Sequence, residues 1–200
     1  DVKGPHISLM APDRATNGMP ALRSLLIVAR LSDGTRPVRL NLDSGTNVSF
    51  LFYTARFMPL ELLARTSLLG GGLDRAQRPV WTTPLQDLQI GSLEFPRVPF
   101  FTYANSPEGL SRTSAYDGLL TFGIFRRVFI CHAHHFAVFE PWSSAFTSIS
   151  AQAETRCPGN VTGLRPRIVA GALLVLPVKI NQSGPFEFVV DTGSQLNVID

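Results

Sequence analysis

A pattern read at residues 25–46 returns at residues 173–194, an offset of 148 residues with no gap. Leu25-Leu26-Ile27-Val28 falls on Leu173-Leu174-Val175-Leu176, Pro37 on Pro185 and Leu42 on Val190. Asp43 falls on Asp191, Gly45 on Gly193 and Thr46 on Ser194. Each copy reads as apolar strand, turn, apolar strand, then an Asp-hydroxyl-Gly-hydroxyl tetrapeptide. The turns, Ser32-Asp33-Gly34 and Asn181-Gln182-Ser183-Gly184, carry residues that tolerate the positive φ of tight hairpins. Val38-Arg39-Leu40-Asn41-Leu42 and Phe186-Glu187-Phe188-Val189-Val190 run into the two tetrapeptides. A chain with this repeat is built from a duplicated supersecondary unit.

Composition narrows the rest. At 200 residues, with 44% hydrophobic and 16% charged, the chain holds enough apolar material for the core of one domain or two small ones. Disordered chains have the opposite balance. The net charge of +3 reflects scarce acids more than abundant bases, and no basic cluster of the nucleic-acid-binding kind is present. Gly (16) and Pro (15) punctuate the chain often, which favours short strands over long helices, so the expected class is all-β. The longest apolar run, Ile168 to Val178, contains Pro177 and falls short of the roughly 20 residues a membrane helix needs. No signal-peptide pattern is visible. Two cysteines, Cys131 and Cys157, allow at most one disulfide.

The organisation follows from the repeat. Residues 1–20 read as a turn-rich N-terminal tail, and 21–142 as the unit containing the first copy. Residues 143–167, rich in Ser, Thr, Ala, Gln and Gly, read as a linker. Residues 168–200 open the second copy. Within the first unit, Val48 to Phe52 reads as strand and Pro59 to Arg65 as a short helix with Pro at its first position. Strands are expected at Trp81–Ile90 and Phe95–Tyr103, a short helical piece near Phe122–Arg127, and a last hairpin from Val128–Cys131 and Phe136–Phe139. Cys131-His132-Ala133-His134-His135 lies at that hairpin's tip with no acidic residue nearby, which reads as an exposed turn rather than a metal site.

The tetrapeptides carry the chemistry. A carboxylate at the tip of a tight turn needs a Gly two positions later, so that the backbone approaches closely and supplies an amide donor. The hydroxyl after each Asp, Ser44 or Thr192, can bond across to the partner loop. The second hydroxyl, Thr46 or Ser194, is expected to bond the carboxylate itself. Two facing carboxylates in a low-dielectric groove share one proton, giving one acid and one base. A lone Asp-Ser/Thr-Gly triplet is a weak signal, since Asp and Gly are ordinary in turns. Two at matching places in repeated frames are a strong one.

Asp43-Ser44-Gly45-Thr46 and Asp191-Thr192-Gly193-Ser194 resemble the active-site loops of retropepsin-like aspartic proteases, the fold of retroviral-type and bacterial tandem enzymes. The resemblance implies a retropepsin-like lobe at 21–142, a closed β-barrel with one or two short helices, and the incomplete start of a second lobe at 168–200. It makes Asp43 and Asp191 catalytic, with Ser44, Gly45, Thr46, Thr192, Gly193 and Ser194 supporting them. Residues 69–82, with Gly70, Gly71 and Gly72, would form a flap over the substrate. Asp117-Gly118-Leu119-Leu120 is similar to the segment that threads behind the catalytic loop, although Thr121 stands where the family has Gly. The implied function is an aspartic-type endopeptidase acting on polypeptides, without metal or organic cofactor, in a periplasmic or extracellular setting. Asp43 would pair with Asp191 in an intramolecular pseudo-dimer or with its counterpart in a homodimer. The alternative is a non-catalytic binding or scaffold module that keeps the lobe.

Overall fold

The structure, a computed structural model, describes residues 7–8, 25–32, 37–52, 61–69, 77–103, 116–131, 136–142 and 167–194. These form fifteen strands and one 3₁₀ turn. The strands are β1 (Ile7–Ser8), β2 (Leu26–Arg30), β3 (Pro37–Asp43), β4 (Ser49–Leu51) and β5 (Ala64–Leu69). Next come β6 (Gln77–Thr82), β7 (Gln86–Ile90), β8 (Leu93–Val98), β9 (Phe100–Thr102) and β10 (Gly118–Thr121). Beyond the 3₁₀ turn Phe122–Ile124 lie β11 (Phe125–Cys131), β12 (Phe136–Pro141), β13 (Arg167–Val169), β14 (Leu173–Ile180) and β15 (Ser183–Val189).

The principal sheet has nine strands in the order β5-β6-β9-β4-β10-β3-β2-β7-β8. It curls into a half-barrel rather than the closed barrel expected, because its two end strands, β5 and β8, do not pair with each other. A separate sheet, β1-β12-β11, packs its Phe125, Ala137 and Phe139 into the concave core beside Ile27, Leu40, Leu42, Leu88 and Leu120. Phe125 meets Phe95 edge-on at 5.1 Å and Phe139 at 4.6 Å, joining the two sheets through an aromatic stack. Two prolines of this sheet avoid its best-paired interior. Pro96 is on the edge strand β8, and Pro79 lies outside the Trp81–Thr82 stretch of β6 that pairs with β9.

Four places depart from the expected elements. Residues 61–63 are irregular, and Ala64-Arg65 open a strand rather than ending a helix, since Ala64 to Leu69 pairs in register with Thr82 to Gln77. The helical piece near Phe122 is a single 3₁₀ turn, after which Phe125 is already in the hairpin with β12. The strands read at Trp81–Ile90 and Phe95–Tyr103 are each broken, at Thr83–Leu85 and at Pro99.

The feature that positions the first Asp loop is β10. It runs parallel to β3, with Gly118 opposite Leu40 and Thr121 opposite Asp43, and antiparallel to β4, with Gly118 opposite Leu51. It is therefore wedged between the strand entering the loop and the strand leaving it. A Cβ at Gly118 would collide with the Phe50 carbonyl oxygen, so only glycine lets this strand in. Asp117 fastens its start: the Asp117 N–H donates to the Arg39 carbonyl at 2.7 Å, and the Arg39 N–H donates to the Asp117 carboxylate at 2.8 Å. The Phe52 N–H donates to the Asp117 carbonyl at 2.9 Å, which ties the same residue to the segment after β4.

The second copy of the repeat is the three-stranded sheet β13-β14-β15. Its hairpin closes through Asn181-Gln182, with Asn181 at φ 54°, between the paired Ile180 and Ser183. Cys131, fully buried at the end of β11, is disulfide-bonded, and the sequence holds one other cysteine, Cys157.

Candidate active site

β3 and β15 each deliver their Asp into a tight loop, and the two loops meet. The Ser44 N–H donates to Thr192 Oγ1 at 3.1 Å, and the Thr192 N–H donates to Ser44 Oγ at 3.1 Å. Each hydroxyl then donates onward into the opposite strand end: Ser44 Oγ to the Val190 carbonyl at 2.6 Å, Thr192 Oγ1 to the Leu42 carbonyl at 2.7 Å. The four bonds are reciprocal, so the loops are related by a local twofold axis. Ser44 is fully buried, where an unmade bond would cost about 1–3 kcal/mol.

The glycines explain how closely the loops approach. A Cβ on Gly45 would lie on the Asp191 carboxylate, and a Cβ on Gly193 would lie within 2.6 Å of Asp43 Cγ. Each glycine thus cedes its side-chain space to the carboxyl group of the other loop. Each also has its own Asp as acceptor: the Gly45 N–H donates to Asp43 Oδ1 at 2.8 Å, and the Gly193 N–H to Asp191 Oδ1 at 2.8 Å. Asp43 and Asp191 thus lie together at the junction of the two loops, each carboxyl against the other loop's glycine.

The loops differ in environment. Asp43 is partly buried and Asp191 exposed. The Asp43 carboxyl is pushed up to about 6, first by burial, then by the negative charge of Asp191. The Gly45 amide opposes this and the bond to Asp191 adds to it. The Asp43 carboxyl therefore keeps its proton to a higher pH than an ordinary Asp.

The supporting hydroxyls divide unequally. Ser194 reaches Asp191 Oδ1 through its backbone N–H at 3.0 Å. Thr46 does not serve its carboxylate as expected: Thr46 Oγ1 donates to the Val48 carbonyl at 3.1 Å and accepts from the Val48 N–H at 3.3 Å, closing the turn instead. Its carbonyl accepts from Thr121 Oγ1 at 2.7 Å. Thr121 is thereby built into the loop. It is 5% exposed, accepts from the Gly123 N–H at 3.2 Å, and donates its own N–H to Ser49 Oγ at 3.3 Å. Gly70, Gly71 and Gly72 lie outside the described residues, as do His132, His134 and His135. The described flank of that segment is the hairpin β5–β6, where the Arg65 guanidinium lies 5.5 Å over the Trp81 ring.

One neighbour of the site carried no sequence signal. Tyr116, just ahead of the Asp117 clamp, packs on Phe52 with ring centroids 5.8 Å apart. It joins an apolar cluster with Phe50, Val80, Phe101, Tyr103 and Leu119. Leu119 and Thr121 are two apart on β10, and Thr121 is opposite Asp43, so this cluster and Asp43 share one face of the sheet. The phenol is raised above its ordinary value by burial and by the charge of Asp43. No group of His, Cys, Asp and Glu arranged to hold a metal ion occurs among the described residues. Among them no helix is long and apolar enough to cross a membrane. Compared with known protein families and with curated protein sequences, the chain matches none.

Proposed function

We propose that this chain is an aspartic-type endopeptidase of the retropepsin-like kind, hydrolysing peptide bonds with Asp43, Asp191 and a water molecule. The observation that carries the reading is the reciprocal set of four bonds that Ser44 and Thr192 make across the two loops, with each Asp carboxyl seated against the glycine of the other loop. Ionised Asp191 acts as general base, taking a proton from water as the water oxygen attacks the scissile carbonyl carbon. Asp43 gives its proton to the carbonyl oxygen. Collapse of the resulting diol breaks the carbon–nitrogen bond, a proton passes to the departing amine, and the pair again holds one proton. The two carboxyls titrate as a unit. With Asp43 pushed up to about 6, cleavage should be fastest in acid and should fall away above that pH as the shared proton is lost.

The test is cleavage of an unfolded protein between pH 3 and 7 by the purified chain, by Asp43→Asn and by Asp191→Asn. Each substitution should lower the rate at least ~10³-fold while leaving the fold intact. If the unsubstituted chain cleaves nothing, or the substitutions leave its rate unchanged, the reading fails and a binding role for the same lobe takes its place.

A further inference from the structure

The four bonds of Ser44 and Thr192 are clustered at one point, and such a cluster fixes the position of the small sheet β13-β14-β15 better than it fixes its tilt. A second contact stands beside the first. The turn between β13 and β14, with Ala170 at φ 51° and Gly171 at φ 81°, is closed by the Ala172 N–H donating to the Val169 carbonyl at 3.3 Å. It lies at the same end of the sheet as the Asp191 loop, because the Val190 N–H donates to Leu174, two residues past Ala172. Among the described residues of the second copy, Ala172 and Val175 alone are buried. The turn rests on Gly123: a Cβ built there would lie 3.1 Å from the Ala172 methyl carbon and 3.9 Å from the Gly171 carbonyl oxygen. Gly123 is otherwise open to solvent and its φ is not in the left-handed region, so its backbone does not demand a glycine. The facing turn does.

We infer that Gly123 is a positioning residue: it is the seat that sets the tilt of the second copy, and with it the angle at which the Asp191 loop meets Asp43. The seat is tied to the first Asp loop through Thr121. The Gly123 N–H donates to Thr121 Oγ1 at 3.2 Å, and Thr121 Oγ1 donates to the Thr46 carbonyl at 2.7 Å. Thr46 directly follows Gly45, whose amide holds the Asp43 carboxylate. On the other side, Trp142 Nε1 donates to the Gly123 carbonyl at 3.4 Å. With both its N–H and its carbonyl engaged, a larger residue at 123 pushes on the turn instead of moving aside. A glycine at 121, which the family resemblance implies, could make neither hydroxyl bond, so the threonine is what couples the seat to the loop. The inference rests on the peptidase reading only for its consequence in catalysis; the seating itself is a property of the folded chain.

The experiment is amide hydrogen exchange in the full chain, followed by NMR. Its probes are Ser44 and Thr192, whose N–H groups bond across the loops, and Leu42, whose N–H bonds to Leu25 within the first copy. Gly123→Ala brings a methyl to 3.1 Å from Ala172, closer than ordinary contact, and should speed exchange at Ser44 and Thr192 a few-fold. Gly123→Val should speed it ~10-fold or more, while Leu42 keeps its parent rate. The decisive variant pairs Gly123→Ala with Ala172→Gly, which removes the methyl being pressed and should return both amides to the parent rate. Thr121→Val should loosen them a few-fold, and Thr121→Ser, which keeps the hydroxyl, should not. Where Gly123→Val fails to fold, Gly123→Ala and the paired variant carry the comparison. Parent-like exchange at Ser44 and Thr192 in every Gly123 variant overturns the inference. So does a paired variant that stays as loose as Gly123→Ala. Where the chain cleaves, kcat should fall in the same order with KM unchanged. A chain that cleaves nothing yet responds in this way supports the seat and sinks the peptidase reading; one that cleaves with exchange unmoved does the reverse.

Discussion

The two copies of the repeat have nearly the same sequence pattern and very different surroundings. In the first, Val38, Leu40 and Leu42 are at most 1% exposed, because β3 lies deep in the nine-stranded sheet under β11 and β12. Their equivalents are Phe186, Phe188 and Val190, in a sheet of three strands; Phe186 is 45% exposed, and Phe188 and Val190 are only half-buried. The strand pairing differs as well. The Leu42 N–H donates to the Leu25 carbonyl, whereas the Val190 N–H donates to Leu174, one residue beyond the equivalent position. A bulge between Val178 and Ile180 accounts for the slip. The Asp loops nevertheless match in their cross-loop bonds and in the glycine amide that each gives its own Asp. The lesson is that loop geometry here depends on each loop's own amides and on the opposite loop, and far less on how well the strand beneath is covered.

That comparison is open to attack, and the largest effect should come from the glycines. Gly193→Ala places a methyl against enclosed Asp43 and Gly45→Ala places one against exposed Asp191. Both should lower cleavage, Gly193→Ala by ~10²-fold or more and Gly45→Ala by less, because Asp191 has solvent to retreat into. Equal losses would mean that the asymmetry between the carboxyls is without consequence.

Next is pH. A carboxyl raised from 3.8 to about 6 on folding stabilises the native state fully below about pH 4 and loses that contribution as pH rises through about 6. The loss is up to about 3 kcal/mol. Thermal melts of the parent chain should therefore fall in Tm between pH 4 and pH 6.5, and Asp43→Asn should flatten the profile. A parent profile already flat in that window would remove the basis for placing the proton on Asp43.

Core truncation comes third. Val38→Ala should cost about 2 kcal/mol in a denaturant melt and Phe186→Ala under about 1 kcal/mol, despite the larger side chain deleted, because one is buried and the other largely solvated. The cross-loop bonds come fourth. Ser44→Ala and Thr192→Val should each cost about 1–2 kcal/mol, with the double substitution costing clearly less than their sum. Additive costs would show that the two hydroxyls do not act on one another.

Much of this site was legible because its parts are short and local: an Asp, a hydroxyl and a Gly at fixed spacing, repeated 148 residues apart, each preceded by a strand pattern. The all-β class was legible from the same periodicity and from the density of Gly and Pro. Other features depend on partners far away in sequence. That Ala64-Arg65 is strand follows from pairing with Trp81-Thr82, which no local propensity reports. Thr121 looked like a misfit because the glycine in that segment was sought one place after the leucines. In the folded chain the close approach falls at Gly118, and Thr121 gains its place from the Thr46 carbonyl and Ser49. Tyr116 was silent because its packing on Phe52, beside Phe50 and Phe101, depends on where β10 is inserted against β4. The half-barrel was beyond reach for a similar reason: whether a curled sheet closes depends on where its end strands lie, and no residue of β5 or β8 encodes that alone.

The threaded strand also has a kinetic side. β2 and β3 are joined by a short hairpin and β4 follows within a few residues, so those contacts form early and cheaply in chain entropy. The Arg39–Asp117 clamp spans 78 residues and the Ser44–Thr192 lock 148, which makes both among the slow events of folding. A nascent chain therefore carries its two acidic bends apart for most of its maturation. The paired-carboxyl geometry exists only after that long-range closure.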